Sequence, residues 1–183
     1  MLHLRLLQRA RTWGWVLVLA CSPALAHAQA AAPEYALKAA LLLKLPRFVY
    51  VPGLADDAPA TLCVLGDNPF GATLQDLARQ PIDGRQILVR PLRAGAPANG
   101  CNFVFIARSQ QAELAQTLQA LAGAAVVTVS DLAGFARAGG MVELARDARD
   151  DARLRIVLNP QAARAQGVGF NAQLLRLATV VEP

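Results

Sequence analysis

Short apolar runs rich in β-branched residues alternate with stretches of helical composition along most of this 183-residue chain. The apolar runs predict strands at residues 61–66, 86–92, 102–107, 125–129, 141–146 and 154–158. Helices are predicted at residues 34–50, 70–79, 110–121, 161–166 and 173–178. This alternation predicts an α/β fold with a mostly parallel sheet flanked by helices on both faces. Because only a short polar turn separates the last two strands, they can pair only as an antiparallel C-terminal hairpin.

The composition limits the kinds of partner that the chain can have. Hydrophobic residues make up 55% of the chain, which excludes disorder. The formal net charge is +5, but Arg5, Arg9 and Arg11 all precede residue 29, where there is no acidic residue. Since the rest of the chain is nearly neutral and has no clustered excess of basic residues, we expect no nucleic-acid partner.

Residues 1–28 are typical of a secretory signal peptide. Arginines without acids are followed by the apolar run WGWVLVLA and then by two A-x-A cleavage patterns. The apolar run is too short to cross a bilayer as a helix. We therefore expect cleavage of this segment and a single domain over residues 29–183 that is soluble outside the cytoplasm. Lipidation of Cys21 stays open as an alternative, because the residues ahead of it faintly resemble a lipoprotein processing site.

Two cysteines remain after the predicted signal peptide, Cys63 and Cys101. Each belongs to an apolar run, and we predict that the two runs are two buried strands of one sheet. An even number of cysteines in an exported protein usually indicates a disulfide, so we expect these two to be bonded. Closing a loop of about 39 residues stabilises a fold by roughly 4 kcal/mol in the chain-entropy model. The alternative is a pair of buried free thiols.

The chain offers few side chains for catalysis. Its histidines, His3 and His27, fall within the predicted signal peptide, so the domain lacks Ser-His and Cys-His catalysis and histidine-based metal sites. Gly66 and Gly71 have the spacing of a phosphate loop, but Ala72 replaces the lysine that such a loop needs. The adjacent acidic pairs lie in polar segments where solvated loops are expected. We predict no catalytic residue, no metal and no cofactor.

A basic and aromatic segment ends the first predicted helix. Pro46 should end or kink this helix, and Lys44 and Arg47 stand beside Phe48 and Tyr50. Basic residues in this position are typical of the solvated edge of an amphipathic helix. The alternative is that all four residues belong to a surface for a partner or a ligand.

Five segments, in order, resemble the YfiR family of periplasmic proteins. They are YALKAALLLKLPRFV, LCVLGDNPFG, CNFVFIARS, VVTVSDLAGFARAGGMVEL and LNPQAARAQGVGFNAQLLRLA. The resemblance runs from about residue 34 to residue 178 and covers nearly the whole predicted domain. It implies a non-enzymatic regulator that binds the periplasmic domain of an inner-membrane diguanylate cyclase and represses it. Release of the cyclase would then raise cyclic-di-GMP and biofilm output.

The same resemblance implies further partners and contacts. An outer-membrane, peptidoglycan-associated lipoprotein is implied as a second partner that sequesters the repressor, and homodimerisation is left open. Asn159 and Asn171 are candidate contact residues, and so are Leu174, Leu175 and Leu177 on the C-terminal elements, with burial in the core as the alternative for the three leucines. Val157 replaces an acidic residue of the family pattern, so no contact that depends on that charge is expected. A small-molecule-binding sensor module is the alternative function, since open α/β sheets bind ligands at the carboxyl ends of their strands.

Overall fold

The computed structural model describes residues 24–147 and 153–181. The Cys21 lipidation site and all but the last few residues of the predicted signal peptide, residues 1–28, lie outside these described residues. The first helix already begins at Ala24. Within the two described ranges, no helix combines the length and the apolar character that crossing a bilayer requires.

The strands and helices alternate along the described residues, as predicted. The strands are β1 Val49–Tyr50, β2 Ala60–Leu65, β3 Ile87–Leu92, β4 Phe103–Ile106, β5 Val127–Ser130, β6 Val142–Arg146, β7 Leu154–Leu158, β8 Gly169–Phe170 and β9 Thr179–Val180. The α-helices are α1 Ala24–Lys44, α2 Thr73–Ala78, α3 Leu114–Leu121, α4 Pro160–Arg164 and α5 Ala172–Leu177. Two short 3₁₀ turns span Leu45–Arg47 and Arg108–Gln110.

Seven strands form one sheet in the order β3-β2-β4-β5-β6-β7-β9. The first five strands of this order are parallel to one another, and β7 is antiparallel to β6. A mostly parallel sheet with an antiparallel hairpin near the C-terminus is therefore confirmed. Because β3 and β4 lie on opposite sides of β2, the chain reverses its direction across the sheet at this point, as in doubly wound folds.

Each face of the sheet has its own buried core, because successive residues of a strand point to opposite faces. On one face, Val64, Phe105 and Val129 join side chains of α1, α2, α4 and α5 in one cluster. On the other face, Leu65 and Ile106 pack with side chains of α3. The expectation of helices on both faces is confirmed.

Cys63 and Cys101 form the predicted disulfide. Cys63 lies on β2 and Cys101 just ahead of β4, and their Cα atoms are 5.9 Å apart. Both cysteines belong to the core on the α3 side of the sheet. The bond therefore joins two neighbouring central strands beneath that helix.

The structure departs from the prediction at the end of the first helix. The prediction carried this helix to residue 50 with a break or kink at Pro46, whereas α1 ends at Lys44 and a 3₁₀ turn follows. Proline has no backbone N–H with which to continue the helical hydrogen bonds. Beyond it, β1 pairs antiparallel with β8, from a distant part of the chain. We call this two-stranded sheet the ribbon.

Candidate functional site

The ribbon brings together several residues that the sequence singled out as contacts. Phe48 precedes β1, Tyr50 ends it, and Asn171 follows β8. The backbone N–H of Asn171 donates to the carbonyl of Phe48 at 2.9 Å, which ties the two segments together. Phe48 is half-buried against the core, whereas Tyr50 is 66% exposed. Tyr50 is thus the aromatic side chain of this segment that is available to a partner.

Asn171 and Leu174 stabilise the start of α5. The Oδ1 atom of Asn171 accepts the backbone N–H of Leu174 at 2.8 Å and so caps the helix. Leu174 is 3% exposed and packs in the core, which is the alternative that the sequence left open for it. The exposed apolar side chains of this helix are Leu175 and Leu177. A partner that approaches α5 therefore reaches these two leucines rather than Leu174.

Asn159 has its contacts at the end of β7, away from the ribbon pairing. Its Oδ1 atom accepts the backbone N–H of Ala162 at 2.9 Å and caps α4. Its Nδ2 atom donates to the carbonyl of Ala136 at 2.8 Å. The side chain thereby ties α4 to the connection between β5 and β6, and the partner contact predicted for it stays a prediction.

We define the ribbon surface as the exposed apolar side chains Tyr50, Leu175 and Leu177. They stand on neighbouring elements, because β1 pairs with β8 and β8 leads through Asn171 directly into α5. Large exposed apolar side chains on adjoining elements are candidates for contact with another protein. The ribbon surface is therefore the first candidate site.

Lys44 and Arg47 directly precede the ribbon and line a shallow cavity of about 280 Å³. The Nη1 atom of Arg47 lies 3.1 Å from Oδ1 of Asp83, and the Arg47 side chain is 59% exposed. An exposed ion pair of this kind contributes only about 0–1 kcal/mol to stability. The guanidinium of Arg47 is therefore available to a partner at little cost to the fold.

A group of buried charges lies between α1 and the carboxyl end of β5. Lys38 is fully buried, and its Nζ atom is 2.8 Å from Oδ2 of Asp131 and 2.5 Å from Oε1 of Glu34. The hydroxyl of Tyr35 donates to the same Oδ2 atom at 2.9 Å, and Nε of Arg108 lies 3.1 Å from it. We call Glu34, Tyr35, Lys38 and Asp131 the ion cluster.

The two oxygens of Asp131 are used unequally. All three donors reach Oδ2, while Oδ1 is buried and has no hydrogen-bond partner within residues 24–147 and 153–181. On the other side of the cluster, Arg146 forms an ion pair with Glu34. The cluster thus connects α1 to the ends of β5 and β6.

The ion cluster shifts the pKa of two of its members. Burial acts to raise the pKa of Glu34, but hydrogen bonds from Lys38 and Arg146 and their charges outweigh it and lower the pKa below 4.5. Burial, together with the charge and the hydrogen bond of Asp131, raises the pKa of Tyr35 from 10.0 to about 12. Both shifts favour the states of neutral pH, a charged Glu34 and a neutral Tyr35.

An open cavity of about 530 Å³ is lined in part by Asp131. Four arginines also line it: Arg108 after β4, Arg137 between β5 and β6, Arg146 at the end of β6, and Arg155 on β7. We call this cavity the arginine cleft. Four guanidinium groups from four segments make it the second candidate site, suited to negatively charged groups.

Glu143 is the other acid that lines the arginine cleft, and it is buried. Its two oxygens accept the backbone N–H groups of Gly134 and Ala136 at 3.1 and 3.0 Å. The carboxylate therefore fixes the loop that forms one wall of the cleft. In the part of the chain that the structure describes, no group of three or more His, Cys, Asp or Glu side chains is placed to hold a metal ion.

The ion cluster is not among the predicted sites, although the sequence carries a signal for it. Lys38 lies three residues after Tyr35 and four before Leu42, on the apolar face of the helix. A lysine on such a face is buried only with an acidic partner. Asp131 directly follows the buried run VVTVS, at the carboxyl edge of the sheet where α1 can reach it. The arginines of the cleft share no such local pattern, because four separate segments supply them.

The fold and the two sites define a doubly wound α/β protein with an exposed apolar surface and a cationic cleft. Residues 35–179 match the family model described as YfiR/HmsC-like. The protein belongs to the YfiR/HmsC-like family, which confirms the resemblance found in the sequence. Members of this family are periplasmic regulators of membrane-bound diguanylate cyclases rather than enzymes.

A solved structure shows the same fold. It is a conserved domain protein from Vibrio cholerae O1 biovar El Tor, with a TM-score of 0.56 and 11% sequence identity. The likeness covers 81% of this chain and 60% of that one, so this chain spans about 60% of the length of that protein. No curated protein sequence matches the chain.

Proposed function

We propose that this protein is a periplasmic repressor that binds the periplasmic domain of an inner-membrane diguanylate cyclase. Binding holds the cyclase inactive and lowers cyclic-di-GMP and biofilm output. Membership of the YfiR/HmsC-like family is the observation that carries the proposal. The repressor acts by contact, so it shifts the cyclase only as far as its affinities for the inactive and active states differ.

The ribbon surface is the proposed contact with the cyclase. Tyr50 and Leu177 are 66% and 74% exposed, and large apolar side chains dominate the energetics of protein interfaces. The pairing of β1 with β8 and the cap of α5 hold the backbone beneath them, so little order has to be gained on binding. Arg47 adds a positive charge next to this surface.

Two further associations belong to the proposal. A peptidoglycan-associated lipoprotein of the outer membrane binds the same repressor and thereby releases the cyclase. Competition for the ribbon surface is the simplest route to that release, because two partners cannot occupy one surface together. Homodimerisation through the same apolar side chains would likewise compete with the cyclase.

The proposal is tested by intracellular cyclic-di-GMP in a strain that lacks this gene. We expect the concentration of cyclic-di-GMP to rise on deletion. The full-length gene should return it to the wild-type value, whereas a form that lacks residues 1–28 should not. Tyr50→Ala should fail to restore repression. The matched control is Leu88→Ala, which removes an exposed apolar side chain from the edge strand β3 and should restore it. An unchanged level in the deletion strain, or equal repression by both variants, contradicts the proposal.

A small-molecule-binding module is the second proposed function. The arginine cleft favours it, because a cavity of about 530 Å³ with several charged groups has the size and chemistry of a ligand site. Ligand binding and repression are compatible, since the cleft and the ribbon surface have no residue in common.

A further inference from the structure

The arginine cleft lies where three parallel strands end. Arg108 follows β4, Asp131 follows β5, and Arg146 is the last residue of β6. Open α/β sheets bind their ligands outside the carboxyl ends of the strands. The position of the cleft in the fold is therefore that of a ligand site.

The positive charges of the cleft exceed what the surrounding acids neutralise. Arg108 is paired with Asp131, and Arg146 with Glu34. Arg137 and Arg155 also line the cleft, and neither side chain makes an ion pair or a hydrogen bond to any described residue.

Glu143 does not neutralise these two arginines by direct contact. Both of its oxygens already accept backbone N–H groups, those of Gly134 and Ala136. Among residues 24–147 and 153–181, no carboxylate therefore pairs with the two exposed guanidinium groups at the cavity. An anion from solution would supply what the protein does not.

Asp131 does not itself contact a molecule in the cleft. Its Oδ1 atom is buried, so a ligand does not reach it, and its Oδ2 atom is already held by Tyr35, Lys38 and Arg108. The carboxylate therefore helps to neutralise Arg108 and leaves Arg137 and Arg155 to bind an anion.

We propose that the arginine cleft binds a small organic anion with at least two negative charges. Arg137 and Arg155 bind the charged groups through their guanidinium forks. Small polycarboxylates and sugar phosphates share this chemistry. The inference rests on the second proposed function, ligand binding, and is independent of repression.

Calorimetric titration of the exported protein at low salt separates the two sources of such an anion. The probes are citrate and glucose 6-phosphate, with uncharged glucose as the control. We expect citrate or glucose 6-phosphate to bind, and the affinity to fall as salt is added because the contacts are between charges. Glucose that binds as tightly as glucose 6-phosphate would overturn the role of the arginines.

A pair of double variants tests the location of the site. Arg137→Gln with Arg155→Gln should weaken binding by at least about tenfold, since each loses a charge-assisted hydrogen bond. Arg79→Gln with Arg164→Gln removes two exposed arginines elsewhere and should leave binding unchanged. Thermal unfolding checks that both variants fold. Binding of no probe at millimolar concentration, or equal binding by both variants, overturns the proposal.

A broader thermal-shift screen distinguishes failure of the cleft from failure of the ligand-binding function. If some ligand stabilises the wild type and the cleft double variant equally, the protein binds small molecules at another place. The second proposed function then survives, and the arginine cleft is ruled out as its site. Repression is measured separately through cyclic-di-GMP and does not enter this result.

Discussion

The ribbon surface and the ion cluster beneath the arginine cleft differ in how their side chains are held. Tyr50 and Leu177 of the ribbon surface are mostly exposed and stand on a backbone that other residues fix. In the ion cluster, by contrast, Lys38 and Asp131 are buried, and each neutralises the charge of the other. Exposed apolar side chains on a fixed backbone therefore contribute little to the stability of the fold. The buried charges, in contrast, are required for it.

This difference separates stability from function in the two regions. Substitutions beneath the cleft should lower the free energy of unfolding, because they leave a buried charge without its partner. Substitutions in and next to the ribbon surface should change partner binding and leave stability nearly unchanged.

The largest expected effect is on the ion cluster. Asp131→Ala leaves Lys38 buried without one of its two acidic partners, and should cost about 3–5 kcal/mol of unfolding free energy. Urea denaturation followed by circular dichroism measures this. The matched control is Asp76→Ala, which removes an exposed acid from Arg79 and should cost less than about 1 kcal/mol. Equal losses of unfolding free energy in the two variants would contradict the expected difference between a buried and an exposed ion pair.

The disulfide provides a reference that belongs to neither surface. Replacing Cys63 and Cys101 by Ser should cost roughly 4 kcal/mol, because the unfolded chain is no longer constrained. Urea denaturation of the variant and of the wild type with and without reductant measures the loss. A wild type that reductant does not destabilise would contradict this expectation, provided that free-thiol titration shows complete reduction.

The pH dependence of stability should follow the two shifted groups of the ion cluster. Because the pKa of Glu34 is lowered in the folded protein, its contribution is present above pH 4.5 and is lost as the pH falls through the folded value. The pKa of Tyr35 is raised from 10.0 to about 12, so its contribution is present below pH 10 and is lost as the pH rises towards 12.

Thermal unfolding between pH 3 and pH 12 measures both effects, with Glu34→Gln and Tyr35→Phe as controls. Glu34→Gln should remove part of the acid loss, and Tyr35→Phe part of the alkaline loss. If either variant keeps the full pH dependence of the wild type, the corresponding group does not cause it.

The smallest stability effect is expected next to the ribbon surface. Arg47→Glu should change the unfolding free energy by no more than about 1 kcal/mol, since its ion pair with Asp83 is exposed. Repression should nevertheless weaken, measured as a rise in cyclic-di-GMP. A double variant with Asp83→Arg restores the ion pair with reversed charges and should remain defective. Recovery of repression in the double variant would show that the ion pair itself matters.

Much of the fold could be predicted because its signals are local. Strands such as β4 are short apolar runs, and the pairing of β6 with β7 follows from the short turn between them. The ribbon could not be predicted, because β1 and β8 are two residues each and far apart in the chain. Asn171 illustrates the same limit: an asparagine ahead of a helix predicts a cap, but not the bond from its backbone to Phe48.

The candidate sites divide in the same way. Lys44, Arg47, Phe48 and Tyr50 could be singled out because basic and aromatic residues follow one another in the sequence. The arginine cleft could not, since Arg137 and Arg155 come together only when β6 and β7 are paired and the preceding loop folds over them. Contacts across the sheet are set by topology, which a local pattern does not contain.

The most direct test is the affinity of the purified protein for the periplasmic domain of the cyclase that deletion of this gene activates. Biolayer interferometry would compare the wild type with Tyr50→Ala/Leu177→Ala and with Arg137→Gln/Arg155→Gln. We expect the first double variant to bind at least about 30-fold more weakly than the wild type, because it loses the hot spot of the interface. The second double variant should bind like the wild type. Weak binding by the cleft variant together with normal binding by the ribbon variant would contradict this expectation.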